Sequence, residues 1–153
     1  MRHLILAAIA FLALAAPAAA LSIRDCADDQ ATASAWNIAE PWEKNTKVFS
    51  NGNVRVALID TGGEPVCCSM HLLVLSPNTD EQAEDRSCHL INDHEGLGFV
   101  GIDFARLSAS YDPKKGLLIS FPYALYNDEG GPQKQGLAKL RINSANGTVT
   151  AER

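Results

Sequence analysis

Residues 117–125 read Leu-Leu-Ile-Ser-Phe-Pro-Tyr-Ala-Leu, and large apolar side chains recur there at every second position. Residues two apart in a β-strand point to the same face, so this stretch predicts a strand with one buried face. Pro122 has no backbone N–H to give to a neighbour, which places the predicted strand at a sheet edge or makes it bulge there. The apolar face consists of Leu117, Ile119, Phe121, Tyr123 and Leu125.

Turn-forming residues bound this strand and several neighbouring segments. The segment 112–116, Asp-Pro-Lys-Lys-Gly, is typical of a type I turn closed by a left-handed glycine, and 143–147 repeats that chemistry. Asn51-Gly52 lies between apolar segments at 47–50 and 54–61 and is a strong hairpin signal. About eight short strands joined mainly by tight turns are predicted in all.

This pattern predicts a mainly β fold. We expect an antiparallel meander that forms a sandwich or a small barrel, with at most one or two short helical turns. The predicted organisation is a signal peptide at 1–20, an irregular N-terminal arm at 21–46 and a single antiparallel β domain at 47–153.

The first twenty residues have the features of an export signal. A basic start is followed by an apolar run from Leu4 to Leu14, then Pro17 and three alanines that end at Ala20. The apolar run is about half the ~20 residues that a membrane-spanning helix needs, so no stable membrane anchor is predicted. The predicted location is periplasmic or secreted, in a bacterial cell, after cleavage near Ala20.

Charge excludes one class of partner. The chain has a formal net charge of −5 and no cluster of basic residues, which makes nucleic acid an unsuitable partner. The sequence predicts no cofactor. An unknown protein or a small ligand remains as the expected partner.

Four cysteines, Cys26, Cys67, Cys68 and Cys88, follow the predicted signal. In an oxidising compartment they are expected to form disulfides, and four cysteines allow three pairings. A Cys67–Cys68 bond would close a strained eight-membered ring, so this pairing is the least expected. We expect one member of the adjacent pair to join Cys26 and the other to join Cys88, in either order.

Two tryptophans and one polar loop are the candidate contact surface. Trp36 and Trp42 lie in the predicted arm, where they either cover the core edge or form a platform for a ligand. The loop at 77–86 is rich in Asp and Glu and is expected to be solvated. Binding residues concentrate on loops above a rigid scaffold, so these two regions are the predicted contact sites.

Asp60-Thr61-Gly62 follows an apolar strand, and Phe99-Val100-Gly101 leads into a segment that ends in a second predicted hairpin. These residues resemble the active-site triplet and closing segment of retropepsin-like aspartic proteases. The resemblance implies a homodimer in which Asp60 of each chain shares one proton and activates water. The same tripeptide is also typical of a turn after a strand, because Asp and Gly dominate turns.

Three histidines lie near the cysteines and form a third hypothesis. His71, His89 and His94 carry imidazoles that bind zinc or copper, so a metal site is conceivable. No Cys-x-x-Cys spacing accompanies them, and oxidised cysteines would not be ligands.

The segments 41–46 and 51–58 resemble those of small exported proteins of alphaproteobacteria. This resemblance implies location and no particular activity. The sequence shows no convergent catalytic set, so the favoured hypothesis is a non-enzymatic periplasmic module that binds a protein or small ligand. The dimeric protease and the histidine metal site are the alternatives.

Overall fold

The computed structural model describes residues 21–62, 67–78, 86–93 and 96–152. Ten strands lie within these ranges, joined by hairpins and short turns. The strands are β1 Ser22–Asp25, β2 Thr46–Phe49, β3 Val54–Asp60, β4 Met70–Ser76, β5 Ser87–Asn92, β6 Gly101–Ile102, β7 Ser108–Asp112, β8 Gly116–Leu125, β9 Lys134–Asn143 and β10 Thr148–Ala151.

Helical structure is confined to single turns. The described ranges contain one α-helical turn, α1 at Trp42–Asn45, and 3-10 turns at Cys26–Asp29, Ala35–Asn37, Ser50–Gly52 and Phe104–Arg106. These are more turns than the one or two expected from sequence, because 3-10 turns of three or four residues leave no apolar period to detect. No described helix is long and apolar enough to cross a membrane.

The strands form two antiparallel sheets, and the predicted mainly β fold is confirmed. The first sheet has the order β1-β5-β4-β3-β2, and the second has the order β10-β9-β8-β6, with β7 also paired to β8. Both sheets contribute to one apolar core, so they pack as a sandwich, and the described strands do not close into a barrel. The Asn51-Gly52 hairpin joins β2 to β3 as predicted.

The core lies between the inner faces of the sheets. Strand β8 supplies Leu117, Ile119 and Phe121, and the Phe121 ring meets the Phe99 ring edge to face at a centroid distance of 6.1 Å. From the first sheet, alternate residues of β3 and β4 point inward: Val54, Val56, Leu58, Leu72 and Val74. Side chains that alternate along the strands thus give each sheet one apolar face, and the two apolar faces meet in one core, as the sequence of β8 predicts.

The position of Pro122 differs from its prediction. Strand β8 lies between β9 and the pair β6 and β7, so Pro122 is in a central strand without a bulge. It sits in the gap where β6 has ended and β7 has not begun, opposite the start of the Phe104–Arg106 turn. The Pro122 carbonyl accepts from the Asp103 N–H at 2.9 Å, and the missing N–H of proline leaves no ladder partner unsatisfied there.

The expected disulfide pattern is wrong. Cys26 pairs with Cys88, at a Cα–Cα distance of 5.4 Å, and Cys67 pairs with its neighbour Cys68. The strand register explains this result. Asp25 lies opposite His89, which brings the next residue, Cys26, against Cys88. Cys88 also lies opposite Leu75, at the far end of β4 from Cys68, and roughly 16 Å of strand separates Leu75 from Met70. Neither member of the adjacent pair can reach Cys88.

The predicted irregular arm at 21–46 is wrong at its first residues. Ser22–Asp25 pair with β5 as an edge strand, so the first sheet begins inside the arm. The remainder follows an irregular path that ends at Thr46. Backbone pairing holds its later part, because Ile38 bridges to Ile59 and the Ala39 N–H donates to the Leu58 carbonyl at 2.9 Å.

Lys47 connects the two sheets at one open side of the sandwich. Its Nζ donates to the carbonyls of Phe104 and Leu107, at 2.9 Å each, and lies 5.1 Å from the centroid of the Phe104 ring. Lys47 belongs to the edge strand β2 of the first sheet, whereas both carbonyls precede β7 in the second. These bonds therefore fix the distance between the two edge strands.

Candidate functional site

A groove opens between the edge strands β2 and β7, immediately beyond the Lys47 contacts. It has a volume of about 670 Å³. Three turns, at 50–53, 113–116 and 143–145, meet at this end of the sandwich and shape its walls. Cavities of a few hundred to a thousand Å³ are typical of ligand sites, and loops on a rigid scaffold commonly supply them.

The groove is lined by aromatic rings and neutral hydrogen-bonding groups. Phe49 and Tyr111 supply the rings, Lys114 is the single cation, and no carboxylate lines the walls. Tyr111 is 70% exposed. Amide and hydroxyl side chains make up the rest of the polar lining: Ser50, Asn51, Asn53, Ser110, Asn143 and Ser144. Tyrosine, serine and asparagine are also the residues that antibody loops use, because they combine rigid contact area with adaptable hydrogen bonds.

Many of these polar side chains have no protein partner. Within the described ranges, the side chains of Ser50, Asn51, Ser110 and Ser144 make no hydrogen bond. The Tyr111 hydroxyl makes none there either. These groups are therefore open to a ligand without first breaking a protein contact.

Backbone geometry fixes the turns around the groove. Ser50 and Asn51 have φ values of 51° and 55°, in the left-handed region that non-glycine residues rarely adopt. At the neighbouring turn, the Asp112 carboxylate accepts from the N–H groups of Lys114 and Lys115, at 2.8 and 3.0 Å. These two bonds lower the pKa of Asp112 from its ordinary value, so the carboxylate stays ionised and holds the turn.

Asp60 has a local role in the structure. Its carboxylate accepts from the N–H of Gly62 at 3.0 Å, which is the geometry of an Asp that caps its own turn. Gly63 lies outside the described residues. The contact gives Asp60 the turn-forming role weighed in the sequence, and supplies no support for the protease alternative.

The predicted histidine site is divided by the first sheet. His71 lies opposite Ile59 and points away from the core, whereas His89 lies opposite Val74 and points toward it. The two imidazoles are therefore on opposite faces and cannot bind one ion together. His94 lies outside the described residues. Among those described, no group of three or more His, Cys, Asp and Glu side chains is arranged to hold a metal.

Each described histidine has its own environment. His71 is 7% exposed, and its Nδ1 is 2.6 Å from the Asn92 Oδ1. Burial lowers the pKa of His89 from its ordinary value, while the negative charge of Asp25 opposes that shift. The His89 Nε2 is buried and has no hydrogen-bond partner in the described structure. A lowered pKa keeps this imidazole neutral at neutral pH.

The tryptophans are on the surface and outside the groove. Trp36 is 84% exposed and Trp42 is 47% exposed, so neither covers the core edge. The anchors of the arm are instead Ile38, Ala39 and the Cys26 disulfide. Residues 79–85 of the other predicted contact region, the loop 77–86, lie outside the described residues.

The sequence predicts the turns that border the groove but not the groove itself. The sequence predicts a hairpin at Asn51-Gly52 and tight turns at 112–116 and 143–147, and each of the three joins two antiparallel strands. Their meeting at one end of the sandwich follows from strand order and from which strands lie at edges. Hydroxyl and amide residues flank each of these turns, and they are the one sequence signal that could indicate the groove.

No protein-family model, curated protein or solved structure matches this chain. A sandwich of antiparallel sheets is shared by proteins of many functions. The function is therefore inferred from the groove and from the chemistry of its walls.

Proposed function

We propose that the protein is a non-enzymatic binding module, and that the groove between β2 and β7 holds an extended peptide segment of a partner protein. The groove and its unpartnered polar lining carry this proposal. The lining has no carboxylate and one lysine, which suits a neutral or mildly acidic peptide.

The bordering strands favour a peptide over other ligands. Among the described strands, β7 pairs with β8 alone and β2 pairs with β3 alone. An edge strand presents unpaired N–H and C=O groups, and an extended peptide can add to it as a further strand. Ala109–Tyr111 of β7 line the groove. A peptide there would therefore meet the backbone N–H and C=O groups of this edge strand and the Tyr111 ring.

Substitution of Tyr111 tests this placement. Peptides selected from a random display library against the purified protein are expected to lose at least roughly tenfold in affinity in Tyr111→Ala, because Tyr111 is the one large hydrophobic residue of the groove lining that is exposed. Isothermal titration measures the affinity. Tyr126→Ala is the matched control, since Tyr126 is 58% exposed and outside the groove.

Three outcomes would count against the peptide groove. They are a library that yields no binder, binders that Tyr111→Ala retains, and binders that Tyr126→Ala loses equally. A parallel oligosaccharide array separates the ligand class. If sugars bind in a Tyr111-dependent manner and no peptide does, the groove would still be the binding site, but its ligand would be a sugar and not a peptide.

We also infer that the protein acts outside the cytosol, in the periplasm or after secretion. The export pattern at 1–20 and the Cys26–Cys88 disulfide support this location, because disulfides persist in oxidising compartments. Expression of the full chain in a bacterium is expected to yield a periplasmic form beginning at Leu21, by intact mass. Recovery in the cytosol with residues 1–20 retained would contradict the inference.

A further inference from the structure

The Cys67–Cys68 disulfide has no explanation in stability. Cys26 and Cys88 are 62 residues apart, so their bond restricts the unfolded chain strongly, whereas the bond between the neighbours Cys67 and Cys68 closes only an eight-membered ring with no residue between them. A bond between adjacent residues also ties no two elements of the fold together. Its presence calls for another role.

The backbone around this pair is held in an uncommon conformation. Cys68 has a φ of 73°, in the left-handed region that glycine favours and other residues rarely adopt. Hydrogen bonds fix the chain that follows it. The Thr61 N–H donates to the Ser69 carbonyl at 3.0 Å, and Met70 and Phe99 exchange backbone bonds of 3.1 and 2.7 Å.

Both cysteines of this pair are partly accessible. Cys67 and Cys68 are both half-buried, in a segment between β3 and β4, whereas in the other disulfide Cys88 is half-buried and Cys26 is buried at 9% exposure. Rates of thiol–disulfide exchange depend on how well an attacking thiolate can reach a sulfur. A thiolate can therefore approach either sulfur of Cys67–Cys68, whereas Cys88 is the one half-buried member of the other disulfide.

A buried histidine lies against the same segment. The Cys68 carbonyl and the His71 ring both lie beside the position that a Cβ at Gly98 would occupy, so a side chain there would meet both. A Cβ there would lie 2.9 Å from the His71 Cε1. His71 in turn contacts Asn92 through Nδ1. The Cys68 backbone and the His71 ring thus border the same small space at Gly98.

We propose that Cys67–Cys68 is a reversible redox site that exchanges with an external dithiol and changes the environment of His71. A thiolate of the dithiol attacks one sulfur of the pair and forms a mixed disulfide, while the Cys67–Cys68 bond breaks and the other cysteine leaves as a thiolate that takes up a proton. The second thiol of the dithiol, as a thiolate, then attacks the reductant's own sulfur in the mixed disulfide, and the remaining cysteine leaves as a thiolate that takes up a proton. Two electrons pass to the protein, which gains the Cys67 and Cys68 thiols, and the reductant becomes a cyclic disulfide.

This site is independent of the peptide groove. The groove lies beside Asn53, before the first residue of β3, and the cysteine pair follows the last residue of β3. Roughly 20 Å of strand separates the two ends. Failure of either proposal leaves the other standing.

Graded reduction of the full mature chain tests the proposal. The protein is treated with dithiothreitol, alkylated at intervals with N-ethylmaleimide and digested with trypsin. Cleavage after Arg55 and Arg86 places Cys67 and Cys68 in a peptide separate from Cys26 and from Cys88. We expect Cys67 and Cys68 to be alkylated together at least roughly tenfold sooner than the other two, and oxidised dithiothreitol to reverse the change.

Histidine resonances supply the second measurement. Reduction is expected to shift the ring C–H signals of His71 and leave those of His89 in place, because His89 lies on the other face of the sheet. A Cys67→Ser/Cys68→Ser variant should give the reduced His71 signal without dithiothreitol.

Several results would overturn the redox site. They are equal reduction rates for the two disulfides, alkylation of Cys67 and Cys68 in untreated protein, unfolding when only this pair is reduced, and a His71 signal that does not respond. The wild-type measurements decide the question even if the double variant fails to fold.

Discussion

A Cys26→Ala/Cys88→Ala variant is expected to lose about 4 kcal/mol of unfolding free energy, because the bond closes a loop between residues 62 apart. In the unfolded wild-type chain this loop removes many conformations, and the variant regains them. For a chain of this size the loss corresponds to a fall in melting temperature of roughly 10–20 °C. Calorimetry under non-reducing conditions measures it.

The second disulfide gives the matched control. Cys67→Ser/Cys68→Ser removes the same number of sulfurs but opens no loop, so the expected change in unfolding free energy is under about 1 kcal/mol. Equal losses in the two double variants would show that loop closure is not the source of the effect. An unchanged melting temperature for Cys26→Ala/Cys88→Ala would mean that the bond contributes nothing to stability.

Local signals in the sequence were sufficient to predict the strands with strong alternation and the turns with special chemistry. Strand β8 and the hairpin at Asn51-Gly52 form where the pattern indicates. Both depend on residues close together in the chain, namely alternate apolar side chains and a residue pair that accepts positive φ. Such features need no knowledge of the rest of the fold.

Pairing between strands that are distant in the chain determines the structural features that local sequence patterns did not predict. Ser22–Asp25 contain one large apolar residue, Ile23, and become a strand because β5 offers an open edge. The same pairing selects Cys88 as the partner of Cys26, and the register of β4 and β5 keeps Cys67 and Cys68 away from it. Once Cys26 and Cys88 are joined, Cys67 and Cys68 can pair only with each other, although this bond was the least expected because it closes an eight-membered ring.

The candidate site was beyond the sequence for a related reason. Its lining comes from three hairpin turns and two edge strands that are distant in the chain. Exposed polar residues in turns are common, and nothing local distinguishes turns that meet at a groove from turns that do not. Trp36 and Trp42 are the aromatic candidates in the sequence, whereas the rings at the groove belong to Phe49 and Tyr111.

Replacement of Phe121 by alanine is expected to cost about 4 kcal/mol of unfolding free energy. Phe121 is 0% exposed in the middle of the central strand β8, and its ring packs edge to face with that of Phe99. Truncation removes this contact and leaves a cavity that two hydrogen-bonded sheets cannot readily collapse to fill. Urea denaturation measures the change.

Leu137→Ala separates burial from sheet propensity in the same test. Leu137 lies on the neighbouring strand β9 opposite Pro122, on the outer face, and is 58% exposed. Its truncation is expected to change the unfolding free energy by no more than about 0.5 kcal/mol. Phe121 lies opposite Ala138, and Leu137 is the neighbour of Ala138 on the same strand. One position along a β-strand changes the core face to the solvent face. A loss at Leu137 as large as that at Phe121 would mean that the outer face of the second sheet is covered, and that alternation along β8 and β9 does not define the inside of the sandwich.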